Sequence, residues 1–219
     1  MSLGSDVGHF LAGGMLVLSF MLLYQDRITA TLNVFAAQAI ALGLAVAWQA
    51  QLQYAPHLFV TAAIALVVKG GIIPMALHRI VRRLEIHREI EQVIGGGPVM
   101  LVGLGLVALS IMLVFPVAGG VDPLAREDLA FALAVILLGL LMMITRRNAV
   151  TQIIGFMSLE NGLVLAASGA RGMPLVVEIS VAFSILVALI VIGIFLFRIR
   201  ERFETVDIHL LHQHRGEQP

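Results

Sequence analysis

Apolar stretches long enough to cross a membrane recur along the chain, separated by short polar connections. They run over Val7–Tyr24, Ile28–Gln49, His57–His78, Pro98–Pro116, Leu129–Thr145, Ala149–Ser168 and Met173–Phe197. A bilayer core about 30 Å thick takes about 20 mostly apolar helical residues per crossing, so each stretch predicts one transmembrane helix. The connections are polar or rich in helix breakers: Gln25-Asp26-Arg27, Gln49 to Pro56, Gly119-Gly120-Val121-Asp122-Pro123, Arg146-Arg147-Asn148 and Gly169 to Gly172. In the longest connection, Arg79 to Ile94, charges alternate with Ile80, Leu84, Ile90 and Ile94 ahead of Gly95-Gly96-Gly97-Pro98. That pattern predicts either a short helix lying along the cytoplasmic interface or a charged loop that only fixes topology.

The expected fold class is therefore all-α, a polytopic membrane protein of about seven transmembrane helices. Residues 1–97 form an N-terminal three-helix region with the interfacial segment. Residues 98–123 form a linking helix with its outer loop, and residues 124–219 a second three-helix region with a tail. When alternate connections are assigned to opposite sides, the side bearing the C-terminus holds eleven arginines and the other side only Arg126 and Arg171. The positive-inside rule reads this split as N-terminus outside and C-terminus cytoplasmic.

Composition narrows the function classes. Hydrophobic residues make up 59% of the chain and charged residues 13%, with a mean hydropathy of +0.98. Seven crossings leave no space for a sizeable soluble domain. Cysteine is absent, which excludes disulfides, thiolate zinc sites and cysteine-ligated iron–sulfur clusters within the chain. No cofactor is expected here, and any redox centre belongs to a partner. Lys plus Arg balances Asp plus Glu at 14 each, so net charge points to no partner, nucleic acid included. Met1 to Asp6 carries no basic residue, so no cleaved signal peptide is expected. His209, His212 and His214 in the tail lack a closed ligand set and read as solvated, and no metal site is expected. His9, His57 and His78 lie near span ends, which argues against transmembrane haem. Neither a phosphate-binding glycine loop nor a nucleophile elbow is present.

Ionisable side chains inside hydrocarbon cost about 2.5 to 3.5 kcal/mol each on insertion scales, so each is a candidate functional group. Three qualify: Lys69 in the third span, Glu160 in the sixth and Glu178 near the outer end of the seventh. Lys69 lies about 14 Å from His78 and Glu160 about 20 Å from Arg147 at the helical rise. Two long side chains can close that difference in depth. Gly70, Gly71 and Pro74 weaken the helix beside Lys69, since Pro74 cannot donate to the Gly70 carbonyl. An interrupted helix next to a buried lysine suits an intramembrane proton or ion site; the alternative is a packing kink with a static lysine. Glu160 sits in Gly155-Phe156-Met157-Ser158-Leu159-Glu160-Asn161-Gly162, where small residues permit close helix approach. It suits either a proton relay or a carboxyl locked to a partner for assembly. Glu178 follows Pro174 and also suits a carboxylate that complements the helix dipole. Gln38, Thr151 and Gln152 could extend a hydrated path.

The run Arg146-Arg147-Asn148, Ile154-Gly155 and Glu160-Asn161, followed by a last span ending in Arg198-Ile199-Arg200 and Val206-Asp207, resembles the K-type small subunit of respiratory complex I. Over its full length the chain resembles hydrogenase-4 component E, which joins such a unit to an N-terminal half carrying a lysine and, five residues on, a proline. Lys69 and Pro74 match that pattern, as do Glu160-Asn161-Gly162 and Val177-Glu178-Ile179. The resemblance implies a bacterial or archaeal cytoplasmic membrane and a non-catalytic subunit of a formate hydrogenlyase or group 4 membrane hydrogenase complex. Its implied partners are antiporter-like membrane subunits, a quinone-site-like membrane subunit and peripheral hydrogenase and iron–sulfur subunits. The implied role is part of a proton path through Lys69, Glu160, Glu178 and Ser184. Two departures stand out. The K subunit's first intramembrane glutamate aligns with Met157, three residues before Glu160, and its second falls near Ser184 to Leu186, where this chain has no acid. The competing readings are a structural spacer that uses Lys69 and Glu160 as an assembly pair and the C-type subunit of a multi-subunit cation/proton antiporter.

Overall fold

The structure, a computed structural model, describes residues 3–83, 95–117 and 123–169. Helices take up nearly all of these residues, joined by short connections at 25–27, 54–55 and 146–148, with no strand among them. Helix α1 spans Leu3–Tyr24, α2 Ile28–Gln53, α3 Pro56–Ile64, α4 Ile73–Arg83, α5 Gly96–Val117, α6 Pro123–Thr145 and α7 Ala149–Gly169. A π-helical segment, Ala65–Ile72, joins α3 to α4, so the three pieces form one continuous rod. Six helices among the described residues are long and apolar enough to cross a membrane, the rod from Pro56 to Arg82 counting as one. The seventh expected span, with Glu178 and Ser184, and the tail histidines lie outside the described residues.

Element ends follow local chemistry. Helix α2 runs past the expected Gln49 to Gln53 and stops where Tyr54 adopts a left-handed conformation, φ 51°. Ala55 is extended, as a residue before proline must be, and Pro56 opens α3 at a position where its missing N–H costs nothing. Pro123 likewise opens α6, so that helix begins six residues before the expected Leu129. Arg79 to Arg83 continue α4 rather than starting a separate interfacial helix. The rest of that expected element lies outside the described residues.

The chain stays helical through Gly70-Gly71 and Pro74, where an interruption was expected. A proline ring clashes with the carbonyl four residues back and cannot donate to it. The wider π turn makes room, and the Ile73 N–H reaches the Val68 carbonyl five residues back. Glycines without Cβ yield to this widening most readily. Strain from the proline is absorbed by changing the helix type.

Packing is tightest between α6 and α7. A Cβ placed on Gly139 would lie 2.6 Å from the Leu159 nitrogen and 2.8 Å from the Gly155 oxygen; one on Gly162 would lie 2.9 Å from the Ala132 oxygen. The two backbones therefore touch along a glycine seam. A buried apolar cluster formed by Ala12 and Met15 of α1, Leu42 and Val46 of α2, Leu58 of α3, Val135 of α6 and Val164 of α7 fills one part of the bundle. A set of polar side chains occupies another.

Candidate functional site: a buried ion pair in a polar junction

Lys69 lies in the π-helical segment and is buried. Its Nζ stands 3.0 Å from Glu160 Oε1, with the two side chains 3% and 4% exposed. The two ionisable groups that the helical rise placed at similar depths thus form a direct ion pair between the rod and α7. Glu160 is the one buried carboxylate among the described residues. Gly70 packs against α2, where an added Cβ would meet Ile40 Cγ1 at 3.2 Å. Gly43 of α2 admits Leu66 from the same segment, whose Cγ would stand 2.5 Å from an added Cβ. These small residues bring the π-helical segment close to α2.

A chain of hydrogen bonds leads away from the pair. Lys69 Nζ donates to Asn161 Oδ1 at 3.1 Å. Asn161 Nδ2 donates to Gln38 Oε1 at 3.3 Å, and Gln38 Nε2 donates both to Ser19 Oγ at 2.8 Å and to Ser158 Oγ at 2.9 Å. Ser19 Oγ in turn donates to the Met15 carbonyl. All these side chains are buried. Four membrane-spanning elements meet here: α1 through Ser19, α2 through Gln38, the rod through Lys69, and α7 through Ser158, Glu160 and Asn161. Buried polar groups are tolerated in an apolar interior only when hydrogen-bonded, and this network supplies the bonds. Its chemistry is that of a titratable pair whose acid and base touch: a proton added to the carboxylate or removed from the ammonium breaks the ion pair.

The ends of the bundle hold groups that the sequence concealed. Arg146 falls in a short polar connection. In the structure it is buried, and its Nη2 donates to the Leu23 carbonyl at 2.6 Å and the Gln25 carbonyl at 2.9 Å. The carbonyls that end α1 attract a guanidinium, which explains how a charge enters the protein there. Burial pushes its pKa below the usual arginine value, opposed by the nearby Asp26 carboxylate. Asn148, next in the same motif, caps α7: its side-chain oxygen accepts from the Val150 N–H and its carbonyl from the Gln152 N–H. At another position on α1, His9 lies between two carboxylates of α6, with Nδ1 3.0 Å from Asp128 and Nε2 3.2 Å from Glu127. These contacts join residues more than a hundred positions apart, which no local pattern announces. Among the described residues no group of three or more His, Asp or Glu side chains is placed to hold a metal ion.

The chain matches no family model and no solved structure. It is 28% identical over 215 residues to hydrogenase-4 component E of Escherichia coli, a match covering 97% of this chain and 99% of that one. The chain is a homologue of hydrogenase-4 component E over nearly its full length. The component E of Shigella flexneri gives the same figures. An uncharacterised protein of Mycobacterium tuberculosis is 27% identical over 208 residues, 94% of either chain. The likeness to component E extends over both the N-terminal rod that carries Lys69 and the α6–α7 region that carries Glu160, since it leaves only a small share of the chain uncovered.

Proposed function

We propose that this chain is a non-catalytic membrane subunit of a hydrogenase-type, redox-driven complex that moves protons or other ions, and that the Lys69–Glu160 pair forms part of its intramembrane proton path. The observation that carries this reading is a titratable ion pair, buried in a membrane-spanning bundle and seated on a π-helical segment. Such pairs are expensive in hydrocarbon and are retained where charge must be carried. Short π-helical insertions in α-helices concentrate at functional sites. The name of the Escherichia coli relative supports the type of complex. In this reading the chain crosses the cytoplasmic membrane seven times with its N-terminus outside. It links neighbouring membrane subunits and extends the path through Glu178 and Ser184 in the last span.

The test uses the intact complex purified in mild detergent and returned to vesicles. Glu160→Gln and Lys69→Ala are each expected to lower redox-driven proton movement several-fold while the subunits still co-purify. Normal coupling in both variants would sink the proposal. One observation favours a second reading: Lys69 is anchored through Asn161 and Gln38 to three helices. If the pair serves assembly alone, the same substitutions dissolve the complex, and the surviving fraction couples normally.

A further inference from the structure

We propose that Gln38 and Asn161 are positioning residues that keep Lys69 beside Glu160 while the carboxyl gains and loses its proton. This rests on the proton-path reading above and assigns to that site the part that holds it together between protonation states. An ammonium group has three donors and no acceptor. Lys69 spends one donor on Glu160 Oε1 at 3.0 Å and one on Asn161 Oδ1 at 3.1 Å. A proton arriving on Glu160 cancels the charge that attracts Lys69. The Asn161 oxygen does not titrate, so it goes on accepting from the ammonium, and the ion pair reforms when the proton leaves.

The Asn161 oxygen faces Lys69 because the rest of the chain leaves it no other choice. Its Nδ2 donates to Gln38 Oε1. Gln38 has both of its N–H groups committed, one to Ser19 on α1 and one to Ser158 on α7, and the Ser19 hydroxyl donates to the Met15 carbonyl. The bonds from Lys69 through Asn161, Gln38 and Ser19 to Met15 all run in one direction, and turning either amide over would set N–H against N–H. The direction is thus fixed by groups on three helices, all buried from competing water. The same chain ends the proton route on this side. A carboxamide neither gains nor loses a proton near neutral pH, so the proton is exchanged between Lys69 and Glu160 and is not passed through Gln38 to Ser19.

The test follows Glu160 directly. The full chain in lipid bilayers is taken through a pH series by infrared difference spectroscopy, with the Glu160 carboxyl band assigned by its loss in Glu160→Gln. Asn161→Leu is expected to shift the pH midpoint of that band by about one unit, a tenfold change in proton affinity. Gln38→Leu, which removes a group that does not touch the pair, is expected to shift it in the same direction. The double variant is expected to shift it no further than Asn161→Leu alone, since the two act through one chain of contacts. Asn161→Asp keeps the side chain's shape and sets a second carboxylate on the ammonium. It is expected to shift the midpoint as well and serves where the leucine variant does not fold. Unchanged midpoints in Asn161→Asp and Gln38→Leu would overturn this inference and leave the proton path standing, because the Glu160 band still titrates. A wild-type chain with no titrating Glu160 band would remove the proton path itself, and this inference with it.

Discussion

Helix α7 presents two faces built on opposite terms. Toward α6 it offers Gly155, Leu159 and Gly162, and the backbones meet with no space for a Cβ. Toward α2 and the π-helical segment it offers Ser158, Glu160 and Asn161, and the helices are joined by side-chain hydrogen bonds and an ion pair. In lipid no hydrophobic force drives one helix onto another, so association rests on close van der Waals contact and on polar bonds between helices. The seam uses the first and holds no ionisable group. The junction uses the second and holds an ionisable pair. An ionisable pair can be held at a defined separation on one face because the other face fixes the helix by contact alone.

Breaking the seam is expected to have the largest effect. In Gly139→Val the new Cβ meets backbone atoms of Leu159 and Gly155, which cannot rotate away as a side-chain end can. Overpacking commonly costs about 1–3 kcal/mol, and a clash with backbone belongs at or above the top of that range. The expected outcome is loss of monodisperse protein in detergent gel filtration. A variant that remained monodisperse and melted like the parent would mean that the seam does not fix α7.

The ion pair sets the next effect, and here the order of substitution separates the two faces. Lys69→Met alone leaves a buried carboxylate without its counter-charge and is expected to cost about 3–5 kcal/mol. The double variant Lys69→Met/Glu160→Leu removes both charges and is expected to regain most of that stability, since apolar replacement of a buried pair is often neutral or stabilising by about 1–4 kcal/mol. It should fold and yet carry no protons. Thermal unfolding of the parent, single and double variants measures this directly. A double variant as unstable as the single one would show that the pair is needed for packing rather than retained for its chemistry.

The two faces also differ in how far the sequence disclosed them. Glycines at 155 and 162 are seven apart, two helical turns, and small residues at that spacing signal close approach without naming the partner helix. Lys69 and Glu160 stood out because charge in an apolar span is costly, and the helical rise placed them at similar depths. What remained hidden was relational. Gln38 read as a polar position that could extend a hydrated path and Asn161 as a neighbour of Glu160 in its motif, although together they orient the lysine. Gly70, Gly71 and Pro74 signalled backbone strain, but a sequence pattern does not distinguish a broken helix from one that widens by a residue. The partners of Arg146 were hidden for a related reason. Composition sends a charged residue between two spans to water, while the carbonyls that draw it inward belong to α1, more than a hundred residues earlier.

The smallest effects come from the serines at the far end of the junction, and they test whether Gln38 is its hub. Ser19→Ala and Ser158→Ala each remove one acceptor from the Gln38 amide. An interhelical hydrogen bond in a membrane protein contributes about 0.6 kcal/mol on average, so each single variant is expected to lower stability by about that amount. Either serine alone still satisfies one amide N–H. With both replaced, Gln38 keeps only the bond it accepts from Asn161, and its N–H groups lie buried without acceptors. The double variant is therefore expected to lose about the sum of the singles, because each serine accepts from a different amide N–H. A double variant that loses no more than one single variant in thermal unfolding would mean that Gln38 does not hold both serines at once, and it would place the hub of the junction at Asn161 instead of Gln38.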